Sequence, residues 1–224
     1  MLPGPSVVVR CPVCNALGSY ETQISGNSFG GTYYTDGKAV LPMAMHMPSV
    51  VQCTACTRPF WRELATEVGE FDPWSRSDLD DEGLPIDPAF RSAPRLIEPT
   101  EAQYLTGLND LITSVSNEEL LIRLLAWWRG NDRYRDDDQE PEAAASPKIV
   151  SLRKSNVDGL LRLLPEEDAT DHSKALIRAE VLRQMGEFDK ALAILARPYP
   201  DELNGAIERL SSLCQEKDST LRTL

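Results

Sequence analysis

A chain of 224 residues with 42% hydrophobic side chains is long and apolar enough to bury one large core or two modest ones. Its net charge of −12 is uneven: residues 1–68 balance four basic against four acidic side chains, whereas residues 69–148 hold eight basic and eighteen acidic ones. Such a distribution argues against nucleic acid as a partner, because no Lys/Arg cluster is present to displace counterions, and no apolar run approaches the roughly 20 residues that cross a bilayer.

Met1-Leu2-Pro3-Gly4-Pro5 does not resemble the start of a secretory signal, so a cytoplasmic location is expected. Cysteine usage agrees with a reducing compartment. Four of the five cysteines form two short-spaced pairs, and Cys214 stands alone.

The β-branched run Ser6-Val7-Val8-Val9-Arg10 leads into Cys11-Pro12-Val13-Cys14, and Ser49-Val50-Val51-Gln52 leads into Cys53-Thr54-Ala55-Cys56. Each pair is therefore expected where a strand ends and the chain turns. Proline in the first pair fixes φ without removing a needed donor, and the amides beyond the first cysteine can point at its sulfur. Cys11, Cys14, Cys53 and Cys56 together make the ligand set of a tetrahedral Zn2+ ion.

Between the pairs, Gly26-Asn27, Gly30-Gly31 and Asp36-Gly37 carry turn chemistry. Thr32-Tyr33-Tyr34-Thr35 followed by Asp36-Gly37 predicts a hairpin, within a three-stranded antiparallel ribbon. Ser25 to Gly31 lacks the lysine and hydroxyl ending of a phosphate loop and reads as a turn. His46, set among Met43, Met45 and Met47, reads as part of an apolar loop before it reads as a copper site.

The two knuckles, with Phe60-Trp61 soon after the second, resemble the zinc-ribbon or rubredoxin-like class. The fuller pattern, with Ser25-Gly26-Asn27-Ser28-Phe29-Gly30, Asp36-Gly37-Lys38 and Leu41-Pro42-Met43, looks like that of uncharacterised bacterial zinc-ribbon proteins. The resemblance covers the first third of the chain and implies a structural zinc site, with no activity attached. Asn15 stands where glycine is more frequent, a tolerable change because asparagine visits the left-handed region readily. A closed shell of four thiolates leaves no place for substrate; a thiol switch that ejects zinc on oxidation is the alternative.

Residues 73–99 are rich in Asp, Pro and Ser and read as an irregular acidic crossing segment anchored by Trp74, Leu79, Leu84, Ile86 and Phe90. Asp78, Asp80, Asp81 and Glu82 lack the fixed glycine and glutamate of an EF-hand loop and read as solvated acid. Thr100 and Gln103 form a capping box for a helix to about Val115, and Ser116 with Glu119 repeats the signal before the stripe Leu120 to Trp128, stopped at Gly130-Asn131. These two helices are expected to form a hairpin over residues 100–135. Trp127 and Trp128, with Asn131, Asp132, Arg133 and Arg135, could bind a peptide or phosphate, but adjacent residues on a helix cannot face the same way, so one Trp is expected in the core and the polar group at the helix end.

Residues 136–148 read as a mobile acidic linker. Beyond it, helices are expected from Asn156 to Leu164, Ser173 to Met185, Glu187 to Leu195 and from Asp201 onward. Ala179, Gly186, Phe188, Ala191 and Leu195 resemble a tetratricopeptide repeat, which implies a protein-interaction scaffold; an ordinary four-helix packing unit fits the same residues.

The sequence thus predicts an α+β chain: an antiparallel β zinc ribbon over 1–72, the crossing segment, the helical hairpin, the linker, and a repeat-like α-helical domain over 149–224. With only His46 and His172 available, and neither beside a nucleophile pattern, no enzyme is expected. The expected function is a zinc-binding adaptor with a protein partner; a redox sensor or a nucleic-acid-binding ribbon is the alternative.

Overall fold

The computed structural model describes residues 2–75, 77, 79, 83, 85–115, 118–135, 146–164 and 171–224. The expected acid cluster at Asp78, Asp80, Asp81 and Glu82, the anchor Leu84, the Ser116 cap and most of the linker lie outside them. The fold is α+β, and its contacts divide it into two compact units: Met1–Gly31 with Leu41–Ser116, and Thr32–Val40 with Asn117–Leu224.

In the first unit, β1 (Leu2–Arg10) is the centre of an antiparallel sheet, flanked by β2 (Leu17–Ser25) and by β7 (Thr66–Phe71). The valine run suits this place, since a central strand meets a neighbour on each side. Val8 pairs with Ser19 on one side and Gly69 on the other, with a register shift at the next residue toward β7. A second hairpin joins β5 (Val50–Gln52) to β6 (Pro59–Trp61). Val9, Val51, Phe60 and Leu96 pack with Cys11 and Cys53 into one buried cluster.

The crossing segment supplies more than surface cover. Leu96 enters this core, held because its N–H donates to the Ser19 carbonyl at 2.8 Å, while Trp74 and Leu79, read as anchors, are exposed. A short helix α1 (Pro88–Arg91) lays Phe90 over Gly69, where an added Cβ would stand 2.3 Å from the ring. Helix α2 (Glu101–Ser114) begins at the expected capping box. The Thr100 N–H donates to Gln103 Oε1 at 2.8 Å, and the Gln103 N–H donates back to Thr100 Oγ1 at 3.4 Å. Its apolar face, Tyr104, Leu105, Leu108 and Leu111, packs toward β6, where Trp61 Nε1 donates to the Leu111 carbonyl at 2.8 Å.

The second unit holds α3 (Glu119–Asn131), α4 (Pro147–Leu163), α5 (His172–Gln184), α6 (Phe188–Leu195) and α7 (Asn204–Gln215). Helices α2 and α3, expected as a hairpin, thus serve different units, with α3 packed on α4. As expected, α3 ends at Gly130-Asn131, and the chain continues into a single 3-10 turn over Asp132–Tyr134. Helix α4 starts at Pro147, not Asn156, because Ser146 caps it and proline is tolerated at the first helical position. Gly186, at φ 80°, ends α5 and turns the chain into α6, and Ala179 and Ala191 sit in the core that α5, α6 and α7 share.

The hairpin β3 (Thr32–Tyr33) and β4 (Ala39–Val40) closes through Asp36-Gly37 as expected, with Gly37 at φ 83°. It belongs to the helical unit rather than to the ribbon. The Thr35 N–H donates to the Arg222 carbonyl at 2.8 Å and the Leu224 N–H to the Tyr33 carbonyl at 2.9 Å, so residues 222–224 run along β3.

Candidate metal centre

The two cysteine pairs sit where β1 and β5 end, and the backbone makes the same turn twice. At the first, the Cys11 N–H donates to the Ala16 carbonyl at 2.9 Å and the Asn15 N–H to the Cys11 carbonyl at 2.9 Å; at the second, the Cys53 N–H donates to the Arg58 carbonyl at 3.1 Å and the Thr57 N–H to the Cys53 carbonyl at 2.9 Å. Asn15 and Thr57 are both left-handed, at φ 62° and 59°. The sequence reading singled out Asn15 and missed Thr57 and Arg58. Their signal was position alone, four and five residues after the first cysteine of the second pair.

These turns bring Cys11, Cys14, Cys53 and Cys56 together, with all four sulfurs within 4.8 Å of one another. The Cys14 and Cys53 sulfurs are 3.7 Å apart, and those of Cys11 and Cys56 3.9 Å. Thiolates at about 2.3 Å from a tetrahedral ion stand about 3.8 Å from one another, so both measured edges fit a metal at the centre. Cys11 and Cys53 are buried, Cys56 is half-buried and Cys14 is exposed. Among the described residues this is the one cluster of His, Cys, Asp and Glu able to hold a metal ion.

The electrostatics ask for a cation. Burial, chiefly, pushes the free Cys11 thiol up to about 12, against the N–H groups of Cys14 and Val13, the latter 3.4 Å from its sulfur. Burial likewise raises Cys56. It opposes ionisation of Cys53 too, but the N–H groups of Cys56 and Ala55 and the neighbouring thiols outweigh it and lower that thiol. Four thiols so close cannot all ionise without a positive charge among them, and a bound metal ion would take the place of the protons.

The other candidates resolve differently. His46 is exposed, and its Nε2 lies 3.8 Å from Glu98 Oε2. Trp127 is buried and Trp128 half-buried, but both pack on the cluster of Leu124, Leu160 and Leu164, where one alone was expected. Trp127 Nε1 donates to Gln184 Oε1 at 3.2 Å. The polar helix end beside them is filled by the chain itself. Asp36 of the hairpin, fully buried, accepts from Asn131 Nδ2 at 2.9 Å and from Arg135 Nη1 and Nη2, and its carbonyl accepts from Trp128 Nε1 at 2.9 Å. No helix of the described residues is long and apolar enough to cross a membrane.

Compared with known proteins, the chain matches no protein-family model, no curated protein and no solved structure.

Proposed function

We propose that Cys11, Cys14, Cys53 and Cys56 hold a zinc ion that fastens the first unit, and that the chain is a non-enzymatic adaptor whose helices meet a protein partner in a reducing, cytoplasmic setting. The observation that supports the metal is the pair of sulfur separations, 3.7 and 3.9 Å, close to the edges of a zinc tetrathiolate. When bound, zinc supplies charge neutralisation and a crosslink, and four thiolate ligands leave no open position for a substrate. Support for the adaptor role comes from the α5–α6 hairpin, where Ala179 and Ala191 allow close packing and Gly186 makes the turn, in the manner of a tetratricopeptide repeat.

Metal analysis of the purified chain tests the first part: one zinc per chain is expected, and iron or no metal overturns it. Affinity capture from the native cell tests the second. A specific partner, lost when the α5–α6 surface is altered, is expected; recovery of none under gentle conditions counts against the adaptor.

One observation favours a second reading, thiol sensing: Cys14 is exposed and its sulfur is 3.7 Å from that of Cys53. Peroxide would take two electrons from these two thiolates and, with two protons from solvent, be reduced to two waters, leaving the Cys14–Cys53 disulfide and releasing the metal. Zinc content unchanged after mild peroxide excludes it.

A further inference from the structure

Between its two knuckles the chain leaves the first unit after Gly31, contributes β3–β4 to the second, and returns at Leu41. Both stems of this excursion are fixed in the first unit. The Asn27 N–H donates to the Met43 carbonyl at 3.0 Å, and the Met45 N–H donates to Gln23 Oε1. The tip is a working part of the second unit. Asp36 neutralises Arg135, whose side chain is 4% exposed, and Thr35 Oγ1 donates at 2.7 Å to Glu180, which is fully buried and pairs with Arg183 through Nε at 2.7 Å.

We infer that metal binding at the four cysteines controls how firmly β3–β4 stays docked in the helical unit, which makes the metal centre a conformational switch for the end of α3 and for residues 222–224. This rests on the metal reading proposed above. With the knuckles closed, the stems are held side by side and docking the tip orders few residues. Without metal, the thirty-eight residues between Cys14 and Cys53 gain freedom, and docking must order them again.

Undocking has local consequences. It removes the carboxylate from Arg135 and Asn131, the carbonyl acceptor from Trp128 Nε1, and the backbone partners from residues 222–224. The polar groups released together make docking cooperative, and the coupling is reciprocal: whatever metal adds to docking, docking adds to metal affinity.

Amide hydrogen exchange on the full chain, zinc-loaded and stripped by chelator, tests the inference. Stripping should speed exchange at Tyr34, Thr35 and Gly37 by about tenfold or more, while Ala191 to Leu195 in α6 keep their rates. If zinc binds and the hairpin amides do not respond, or α6 responds equally, the switch is overturned and the metal reading stands. If the chain takes up no zinc, both fall. A milder variant, Thr35→Val, removes the hydroxyl that donates to Glu180 and accepts from the Arg222 N–H; it should speed hairpin exchange by a similar factor with and without zinc, keeping the loaded-to-stripped ratio, and a ratio that collapses to one while zinc still binds overturns the coupling.

Discussion

Asn15 and Thr57 hold equivalent places in the two knuckles: each lies four residues beyond the leading cysteine, donates its N–H to that cysteine's carbonyl at 2.9 Å, and has a φ near +60°. Their side chains suit that backbone unequally. Asparagine enters the left-handed region readily, whereas a β-branched residue there is strained.

Thr57→Gly is therefore expected to stabilise the metal-loaded protein by about 1 kcal/mol, strain relief of about 1–3 kcal/mol being partly offset by the greater freedom of glycine in the unfolded chain. Asn15→Gly should change stability by only a few tenths of a kcal/mol. Urea midpoints of the two variants measure the difference, and a loss of stability in Thr57→Gly would show that its side chain holds the turn by contacts stronger than the strain.

The five cysteines should separate cleanly. Cys11→Ser and Cys56→Ser are expected to lose bound metal and unfold the first unit, since binding and folding are coupled in such sites. Cys214→Ser, deep in the apolar core of α5, α6 and α7, should keep full metal content and lose about 1–3 kcal/mol of stability, because a hydroxyl replaces a thiol among apolar neighbours. Native mass spectrometry reads the metal and denaturation the stability; metal loss in Cys214→Ser would place that thiol at the centre after all.

What the sequence made legible was local chemistry. The Cys-x-x-Cys pairs, the Thr100–Gln103 capping box, the Asp36-Gly37 turn and Gly186 each act within a few residues, and each appears where its residue types put it. Partnership over long separations was not legible. Nothing near Thr32–Val40 says that its aspartate will neutralise an arginine ninety-nine positions away, or that Leu96, in a stretch of acid and proline, will join the core beside Cys11. Strand β7, Thr-Glu-Val-Gly-Glu-Phe, was hidden for a related reason: it borders a sheet on one side only, so its pattern is too polar to stand out.

The Glu180–Arg183 pair gives a third expectation. Both side chains are fully buried, and the guanidinium also donates to the Thr220 carbonyl at 2.8 Å. Glu180→Ala leaves that charge without its counterion and should cost about 3–5 kcal/mol, whereas the double variant Glu180→Leu/Arg183→Met should recover much of the loss, since apolar replacement removes both desolvation penalties. Chemical denaturation of the three proteins measures this, and a single variant that loses under 1 kcal/mol would mean that solvent reaches Arg183.

Acid should find Asp218. Burial works against its charge, but the Thr220 hydroxyl and N–H, at 2.6 and 2.8 Å, and Arg222 Nε at 2.8 Å outweigh it and hold the carboxyl at about 2, below its ordinary 3.8. A carboxyl lowered on folding stabilises the native state fully above its unfolded value and loses that contribution as pH falls through the folded one, so the effect should be whole above about pH 5 and gone near pH 1. Asp218→Asn keeps the backbone carbonyl that accepts from Arg183 Nη1 and removes the charge alone. Its deficit against the parent protein should be about 1 kcal/mol at pH 6, modest because Arg222 is half exposed and solvent screens the pair. Urea midpoints taken from pH 6 down to pH 2 should draw together for the two proteins, with only a small gap left at pH 2. A gap that stays constant with pH would assign the loss to altered hydrogen bonding at Thr220 instead of to charge.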